Sequence, residues 1–277
     1  MSEQRSPEPA RAPQLRTVTV GGRTLRVSVR PGDDTLTPLL LMNGIGASLE
    51  VLQPFVDALD PRREVIRFDV PGVGGSPRPV VPYTMATFTP VVAGLLTQLG
   101  HDAAVDVLGF SWGGGLAQQF AVQHRRRCRR LVLAATGMGS LMVPARPHVL
   151  SKMLTPRRHR DPAYARSIAG EIYGGTMRQH PERAATVLHA DSRLGPRRGY
   201  YFQLAAGAGW TSLPLLPMIR QPTLVIAGDD DPIIPAVNPR LMARMIPNAQ
   251  LHLYHGGHLA LVTEARELAP VVDRFLS

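Results

Sequence analysis

Short apolar runs alternate along most of the chain with longer segments in which apolar residues recur at helical spacing. The runs predict buried strands at residues 39–42, 65–68, 104–108, 131–135, 223–227 and 251–254. Helical periodicity follows several of them, for example at Leu116, Ala117, Phe120 and Ala121. Strands that alternate with helices predict a mostly parallel sheet that is covered by helices on both faces.

The remaining elements follow from the same pattern and from turn residues. Two alternating segments, 17–20 and 25–29, flank Gly21-Gly22 and predict an antiparallel hairpin. Helices are predicted at residues 48–59 with Ser48 as N-cap, 84–99, 239–245 and 263–276. Pro90 is expected to interrupt the second of these helices or to mark its true start.

The alternation of strands and helices stops between Gly137 and Met218. Residues 137–218 contain helical segments, many Pro, Gly and Arg residues, and no clear strand. We therefore predict a core of residues 15–136 and 219–277, with 137–218 as a helical lid over the carboxyl edge of the sheet. Residues 1–14 are polar and proline-rich, which predicts a disordered tail and excludes a secretory signal.

Composition and charge narrow the classes of function. The chain of 277 residues has 31 Lys and Arg against 21 Asp and Glu, a formal net charge of +10. Arginine dominates, but its groups are not interleaved with aromatic residues and no nucleic-acid-binding motif accompanies them, so we expect a solvated basic surface and no nucleic-acid partner. No apolar run is long enough for a membrane span, and the single Cys128 cannot form an intramolecular disulfide. The cell interior is the expected location.

The segment Gly109-Phe110-Ser111-Trp112-Gly113 follows a predicted strand and precedes a predicted helix. This G-x-S-x-G pattern is typical of a nucleophile elbow, in which a sharp strand-to-helix turn exposes the serine hydroxyl. The alternative is a glycine-rich turn with an idle serine. A serine needs a base and an orienting acid to act as a nucleophile, so the interpretation depends on the rest of the chain.

Candidates for both partners follow later strands in the expected order of serine, acid and histidine. Asp231 lies three residues after Gly228 and four before Pro235, the spacing of the acid in the G-x-x-D-x-x-x-P turn, and Asp230 is the second choice. His258 follows two glycines after the last strand. His255 is so close to the strand end that its side chain is expected to point elsewhere.

Acyl transfer also needs hydrogen-bond donors for the oxyanion. The backbone N–H groups of Trp112, directly after the serine, and of Ile45, in the loop after the first parallel strand, are the candidates. No metal-ligand pattern is present, and residues 72–75 do not complete a dinucleotide-binding fingerprint. We therefore expect neither a metal nor another cofactor.

Several segments together resemble the intracellular poly(3-hydroxyalkanoate) depolymerases that act on medium-chain-length polyesters, and the resemblance runs from about Leu15 to Leu276. The segments include LTPLLLMNGIGASLE, FDVPGVGGS, GFSWGGGLAQQFA, GYYFQLAAGAGWTS, QPTLVIAGDDDPIIP and IPNAQLHLYHGGHLALVT. The resemblance implies an α/β-hydrolase fold, Ser111 as nucleophile with Asp231 and His258, and hydrolysis of the ester between 3-hydroxyacyl units. It also implies a cytoplasmic enzyme that associates with polyester granules.

Two other readings remain open at this stage. The same triad could serve a carboxylesterase that acts on soluble small-molecule esters, or the chain could be a granule-binding scaffold without turnover. The apolar residues of the predicted lid bear on the choice, because an enzyme that acts on an insoluble polyester must bind an apolar surface. We expect an exposed apolar patch on the lid and expect the lid to set the preference for polymer.

Overall fold

The computed structural model describes residues 13–189 and 193–277, and the part of the predicted tail at residues 1–12 lies outside this description. Eight strands form one sheet in the order β1-β2-β4-β3-β5-β6-β7-β8. The strands are β1 Gln14–Val20, β2 Arg23–Arg30, β3 Leu39–Met42, β4 Val65–Phe68, β5 Val105–Phe110, β6 Cys128–Ala134, β7 Thr223–Gly228 and β8 Ala249–Tyr254. Strand β2 pairs antiparallel with β1 and β4, and all other pairs are parallel. The predicted mostly parallel sheet and the hairpin are confirmed.

The described helices between and after the strands number eleven. They are α1 Gln53–Ala58, α2 Met85–Gln98, α3 Trp112–Gln123, α4 Pro147–Met153, α5 Pro162–Tyr173, α6 Thr176–Gln179, α7 Arg183–His189, α8 Arg197–Ala208, α9 Val237–Met245, α10 Ala260–Thr263 and α11 Ala265–Leu276. In the described part of the chain, no helix is both long and apolar enough to cross a membrane.

Apolar clusters cover both faces of the central strands, while most residues of the edge strands β1 and β8 are exposed or half-buried. Successive residues of a strand point to opposite faces of the sheet. Leu39 and Leu41 belong to one apolar cluster, together with residues of α1, α5 and α11. Leu40 and Met42 belong to the other, together with residues of α2 and α3. This explains why central parallel strands such as β3 are continuous apolar runs, whereas the strands of the β1–β2 hairpin alternate between apolar and polar residues.

The structure corrects two predicted boundaries. Gln14 is the first residue of β1 and pairs with Val29, so it is not part of a tail. The helix predicted at residues 48–59 is split into a 3-10 turn at Leu49–Leu52 and α1, and Ser48 makes no capping hydrogen bond through its side chain.

Pro90 neither interrupts α2 nor marks its start, contrary to the prediction. The helix begins after Thr84, whose side chain and that of Thr87 each accept a backbone N–H from the other residue in a capping box. Pro90 lacks the N–H that would bond to the carbonyl of Ala86. The hydroxyl of Thr89 lies 3.3 Å from that carbonyl, but its one proton has a nearer acceptor, Oε1 of Gln123 at 2.8 Å. The strong cap therefore allows the helix to continue through the proline despite one lost backbone hydrogen bond.

Helices α4 to α8 all lie between β6 and β7, so the parallel sheet carries an inserted helical region. The buried residues of α5 include Ala165, Ile168, Ala169 and Ile172, which join the same apolar cluster as α1 and α11. The division of the chain into core and lid at residues 137 and 218 stays a prediction, because packing alone does not show that the segment moves or folds as a separate unit.

Candidate active site

Ser111 lies on the turn between the last residue of β5 and the first residue of α3. Its backbone has φ 53° and ψ −119°, a conformation that L-residues rarely adopt and that is typical of strained functional sites. The neighbouring glycines make the turn possible. A Cβ at Gly109 would lie 2.4 Å from the carbonyl oxygen of Gly113, and one at Gly113 would lie 2.2 Å from that of Met42.

The structure brings the three predicted residues of the triad together. Nε2 of His258 lies 3.0 Å from Oγ of Ser111, and Nδ1 of His258 lies 2.8 Å from Oδ2 of Asp231. The side chains of His258 and Asp231 are 4% and 2% exposed, so bulk water does not compete for their hydrogen bond. The residues reach one place because each follows a strand at the carboxyl edge of the sheet.

The carboxylate of Asp231 sets the direction of its hydrogen bond with His258. Oδ1 accepts the backbone N–H groups of Ile233 at 2.8 Å and of Ile234 at 2.9 Å. An ionised carboxylate only accepts hydrogen bonds, so Nδ1 of His258 must be the donor to Oδ2. In the neutral imidazole the lone pair then lies on Nε2, facing the hydroxyl of Ser111, which is what a general base requires.

The structure does not bring the second-choice acid, Asp230, to His258. Its carboxylate accepts from the guanidinium of Arg178 at 2.7 and 2.8 Å and from the N–H of Gly175 at 2.7 Å. The hydrogen bond from Arg178 lowers the pKa of Asp230. Asp229 pairs with the exposed His255 at 3.1 Å, so His255 points away from Ser111, as predicted from its position.

The end of α5 contacts both loops that carry the acid and the base. The carbonyl of Tyr173 accepts the backbone N–H of His258 at 2.7 Å, and the two rings stack at 6.4 Å between centroids. A Cβ at Gly174 would lie 1.8 Å from the carbonyl oxygen of Asp230, and one at Gly175 would lie 2.2 Å from the N of Gly257. The inserted helices therefore approach the triad at backbone distance.

The two candidate oxyanion donors lie in braced segments. Ile45 follows Asn43 and Gly44, where Nδ2 of Asn43 donates to the carbonyl of Ser48 at 2.6 Å and the next N–H of Gly46 donates to Oε1 of Gln203 at 2.8 Å. Trp112 is the first residue of α3, where backbone N–H groups have no partner within the helix. The Trp112 indole donates to the carbonyl of Gln203 at 2.8 Å, so it packs against α8.

Ile45, Ser111 and His258 line one cavity. Most of its other lining residues are apolar, and they include Val51, Ile233 and Leu259. The arrangement therefore combines a serine hydroxyl that is hydrogen-bonded to a histidine, apolar walls and two candidate backbone donors, which together suit acyl transfer on an ester with an alkyl chain.

Three polar residues of this cavity were missed by the sequence prediction. Arg158, His159 and Tyr173 all line it. Arg158 was predicted to belong to a solvated basic surface, and that was wrong for this residue, because it is only 2% exposed. No local signal distinguishes it from its neighbours, since Arg157 beside it is exposed and pairs with Asp161. Burial raises the pKa of Tyr173 to about 12 and, with the charge of Arg158, lowers the pKa of His159.

Among residues 13–189 and 193–277, no cluster of three or more His, Cys, Asp or Glu side chains could hold a metal ion.

Comparison with known proteins gives a consistent picture. The sequence matches the alpha/beta hydrolase fold family over residues 37–265. It is 53% identical over 263 residues to a poly(3-hydroxyalkanoate) depolymerase of Ectopseudomonas oleovorans, covering 95% of this chain and 92% of that protein. It is 31% identical to a 2-hydroxymuconate semialdehyde hydrolase of Pseudomonas putida, covering 78% of this chain and 77% of that protein. The crystal structure of the enol-lactonase from Burkholderia xenovorans LB400 superposes with a TM-score of 0.78 at 26% identity, covering 94% of this chain and 99% of that one.

Proposed function

This chain belongs to the alpha/beta hydrolase family and, within it, to the family of the poly(3-hydroxyalkanoate) depolymerase, and from that premise we propose that it hydrolyses the ester bonds of medium-chain-length poly(3-hydroxyalkanoate). The products are 3-hydroxyalkanoate monomers or oligomers. The observation that carries the proposal is the hydrogen-bonded triad, in which His258 lies 3.0 Å from the hydroxyl of Ser111 and 2.8 Å from the carboxylate of Asp231. This triad occurs in a chain that is 53% identical to the depolymerase over both the sheet and the inserted helices.

The geometry supports a two-step mechanism through an acyl-enzyme. Nε2 of His258 takes the proton of Ser111 as Oγ attacks the ester carbonyl, and the N–H groups of Ile45 and Trp112 receive the oxyanion. The ester C–O bond then breaks, and His258 gives its proton to the departing hydroxyl oxygen. Water, deprotonated by His258, next attacks the acyl carbon and releases Ser111 with its proton restored.

Asp231 orients the imidazole throughout and stabilises its positive charge, since its other oxygen is fixed by two backbone N–H groups. Removing one oxyanion-hole donor from a serine hydrolase lowers turnover by roughly 10² to 10³-fold, so the candidate donors are expected to contribute strongly beside the triad.

The surface of the inserted region supports attachment to a water-insoluble substrate. Seven large apolar or aromatic side chains are exposed among the described residues of this region: Leu141, Val143, Leu150, Leu154, Leu194, Tyr201 and Met218. Scattered exposed apolar residues are ordinary, but their number in the inserted region, whose helix α5 contacts the loops that carry Asp231 and His258, favours a docking role. The net charge of +10 adds attraction to an anionic granule coat, so we place the enzyme at the granule surface.

The test compares an insoluble and a soluble substrate in the same preparation. We expect the wild-type chain to clear a turbid suspension of medium-chain poly(3-hydroxyalkanoate) with release of 3-hydroxy acids, and to hydrolyse p-nitrophenyl octanoate. Ser111→Ala, which removes one oxygen atom, should do neither. Hydrolysis of the soluble ester without any clearing or acid release would contradict the depolymerase proposal and favour the carboxylesterase alternative.

A further inference from the structure

The cavity that holds Ser111 also holds a buried positive charge. Arg158 lies in the short 3-10 turn Pro156–His159 before α5 and is 2% exposed. Its Nη1 donates to the hydroxyl of Tyr200 at 2.9 Å, and among residues 13–189 and 193–277 no carboxylate forms an ion pair with it. A guanidinium carries five N–H donors and remains charged in proteins, so burial without a counter-charge is energetically unfavourable unless a ligand supplies one.

Two further polar groups of the same cavity form no hydrogen bond of good geometry among the described residues, although one lies close enough to Arg158, and the other to the backbone of Ile45, to interact with them. These are the hydroxyl of Tyr173 and Nε2 of His159, and both atoms are inaccessible to solvent. Their residues are only 3% and 6% exposed. Buried polar side-chain atoms are almost always hydrogen-bonded, so these two atoms, beside a guanidinium without a carboxylate partner, require an explanation.

The position of the cluster relates it to the reacting atoms. The ring of Tyr173 stacks on the ring of His258. The hydroxyl of Tyr173 interacts with the guanidinium of Arg158. Burial raises the pKa of Tyr173, and the charge of Arg158 partly offsets this rise. His159 lies against the loop of Ile45 and Gly46, where a Cβ at Gly46 would come within 2.9 Å of its ring. The polar cluster is thus next to both the base and a candidate oxyanion donor.

We propose that Arg158, with Tyr173 and His159, forms a subsite for a carboxylate of the substrate, namely the free carboxyl terminus of a polyester chain or oligomer. A carboxylate supplies the missing negative charge, and its two oxygens match the planar fork of donors on a guanidinium. Apolar walls such as Val51 and Leu259 suit the alkyl side chain next to it. This inference rests on the proposed function.

The subsite selects which ester bond is cut. With the terminal carboxylate on Arg158, the nearest ester to Ser111 is the last one of the chain. Its acyl carbon bonds to Oγ of Ser111, its C–O bond breaks, and the departing oxygen takes the proton from His258. The leaving product is one 3-hydroxyalkanoate with its carboxylate still on Arg158, and water then releases the acyl remainder from Ser111. Short oligomers with a free carboxyl end are therefore preferred over capped ones.

The test uses the linear dimer of 3-hydroxyoctanoic acid and its methyl ester, which differ in the terminal charge and one methyl group. For the wild-type chain we expect KM for the free acid to be at least about tenfold lower than for the methyl ester, the size expected for a hydrogen-bonded charge pair. Arg158→Met should abolish this preference, and Arg157→Met, at the exposed neighbouring arginine, should keep it. Thermal unfolding checks that each variant is folded.

Equal KM values for the acid and the methyl ester on the wild-type chain would overturn the inference without any variant, and so would a preference that survives in Arg158→Met. Failure of the proposed function gives a different result, because then a polymer suspension does not clear, whatever the two KM values are. Competitive inhibition adds a second readout, in which 3-hydroxyoctanoate should inhibit the wild-type chain about tenfold better than 3-hydroxyoctanamide. Equal inhibition by the acid and the amide would contradict the subsite.

Discussion

Asp231→Asn replaces one carboxylate oxygen by an NH₂ group, and the structure determines which one. Oδ1 of Asp231 accepts two backbone N–H groups, from Ile233 and Ile234, and an NH₂ group there would face two donors. The amide oxygen must therefore take the Oδ1 position, and the NH₂ group must face Nδ1 of His258, at the present 2.8 Å contact. Nδ1 then has to accept, so the ring proton moves to Nε2 and the lone pair that serves Ser111 is lost.

The expected loss is large because the wrong tautomer removes general-base catalysis while leaving the fold intact. Trapping the histidine of such a triad in the wrong tautomer lowers kcat by about 10⁴-fold, which corresponds to about 5 kcal/mol of transition-state stabilisation. The assay is kcat and KM for p-nitrophenyl octanoate, with thermal unfolding measured on the same samples. We expect kcat to fall by that factor and KM to change little, since no contact to substrate is removed.

Asp229→Asn is the matched control, because Asp229 makes the same kind of contact with a different histidine. Its partner His255 is 94% exposed, and we expect kcat within about twofold of the wild-type value, as is usual for a surface substitution. Retention of more than about one tenth of the wild-type kcat by Asp231→Asn would refute the reasoning, because it would mean that Asp231 does not set the tautomer.

Three further predictions concern stability, surface and reactivity. Ser111→Gly should be inactive, but it should be more stable than Ser111→Ala, because glycine relieves the backbone strain at φ 53°. In urea denaturation we expect its free energy of unfolding to be higher than that of Ser111→Ala by about 1 kcal/mol. Equal stability of the two variants would show that the turn is not strained. Replacing Leu141, Val143, Leu150 and Leu154 by serine should slow clearing of suspended polymer and spare p-nitrophenyl octanoate, since all four side chains are exposed; a parallel fall of both activities would assign them a structural role. Cys128 is 4% exposed and burial raises the pKa of its thiol, so iodoacetamide should alkylate it only after unfolding, and rapid alkylation of the native chain would contradict its placement.

The sequence predicts features that depend on local pattern or on fixed spacing. Ser111 could be found because its glycines leave room for a turn that any larger residue would block. Asp231 and His258 could be chosen over Asp230 and His255 because each has a defined distance from a strand end, and parallel strands end at one edge of the sheet. The alternation of strands and helices was sufficient to predict the fold, because it depends on the local pattern of apolar residues alone.

Features that depend on tertiary contacts could not be predicted in this way. Arg158 has the sequence environment of a surface arginine, and only the packing of α5 and α8 around it makes it a buried group of the cavity. Pro90 was assigned to a helix break because residue propensity does not register the capping box of Thr84 and Thr87 that starts the helix before it. The boundaries of the lid and the roles of the site residues stay predictions until they are tested in solution.

The most direct test of the account is covalent labelling of the nucleophile during polymer hydrolysis. Diethyl p-nitrophenyl phosphate transfers its diethylphosphoryl group to an activated serine with release of p-nitrophenolate, and mass spectrometry of the intact chain and its peptides locates the label. We predict one label per chain, on the peptide that contains Ser111, and a loss of polymer hydrolysis in direct proportion to labelling. Labelling at another residue, or release of 3-hydroxy acids from polymer by a chain fully labelled at Ser111, would contradict the claim that this serine hydrolyses the polyester.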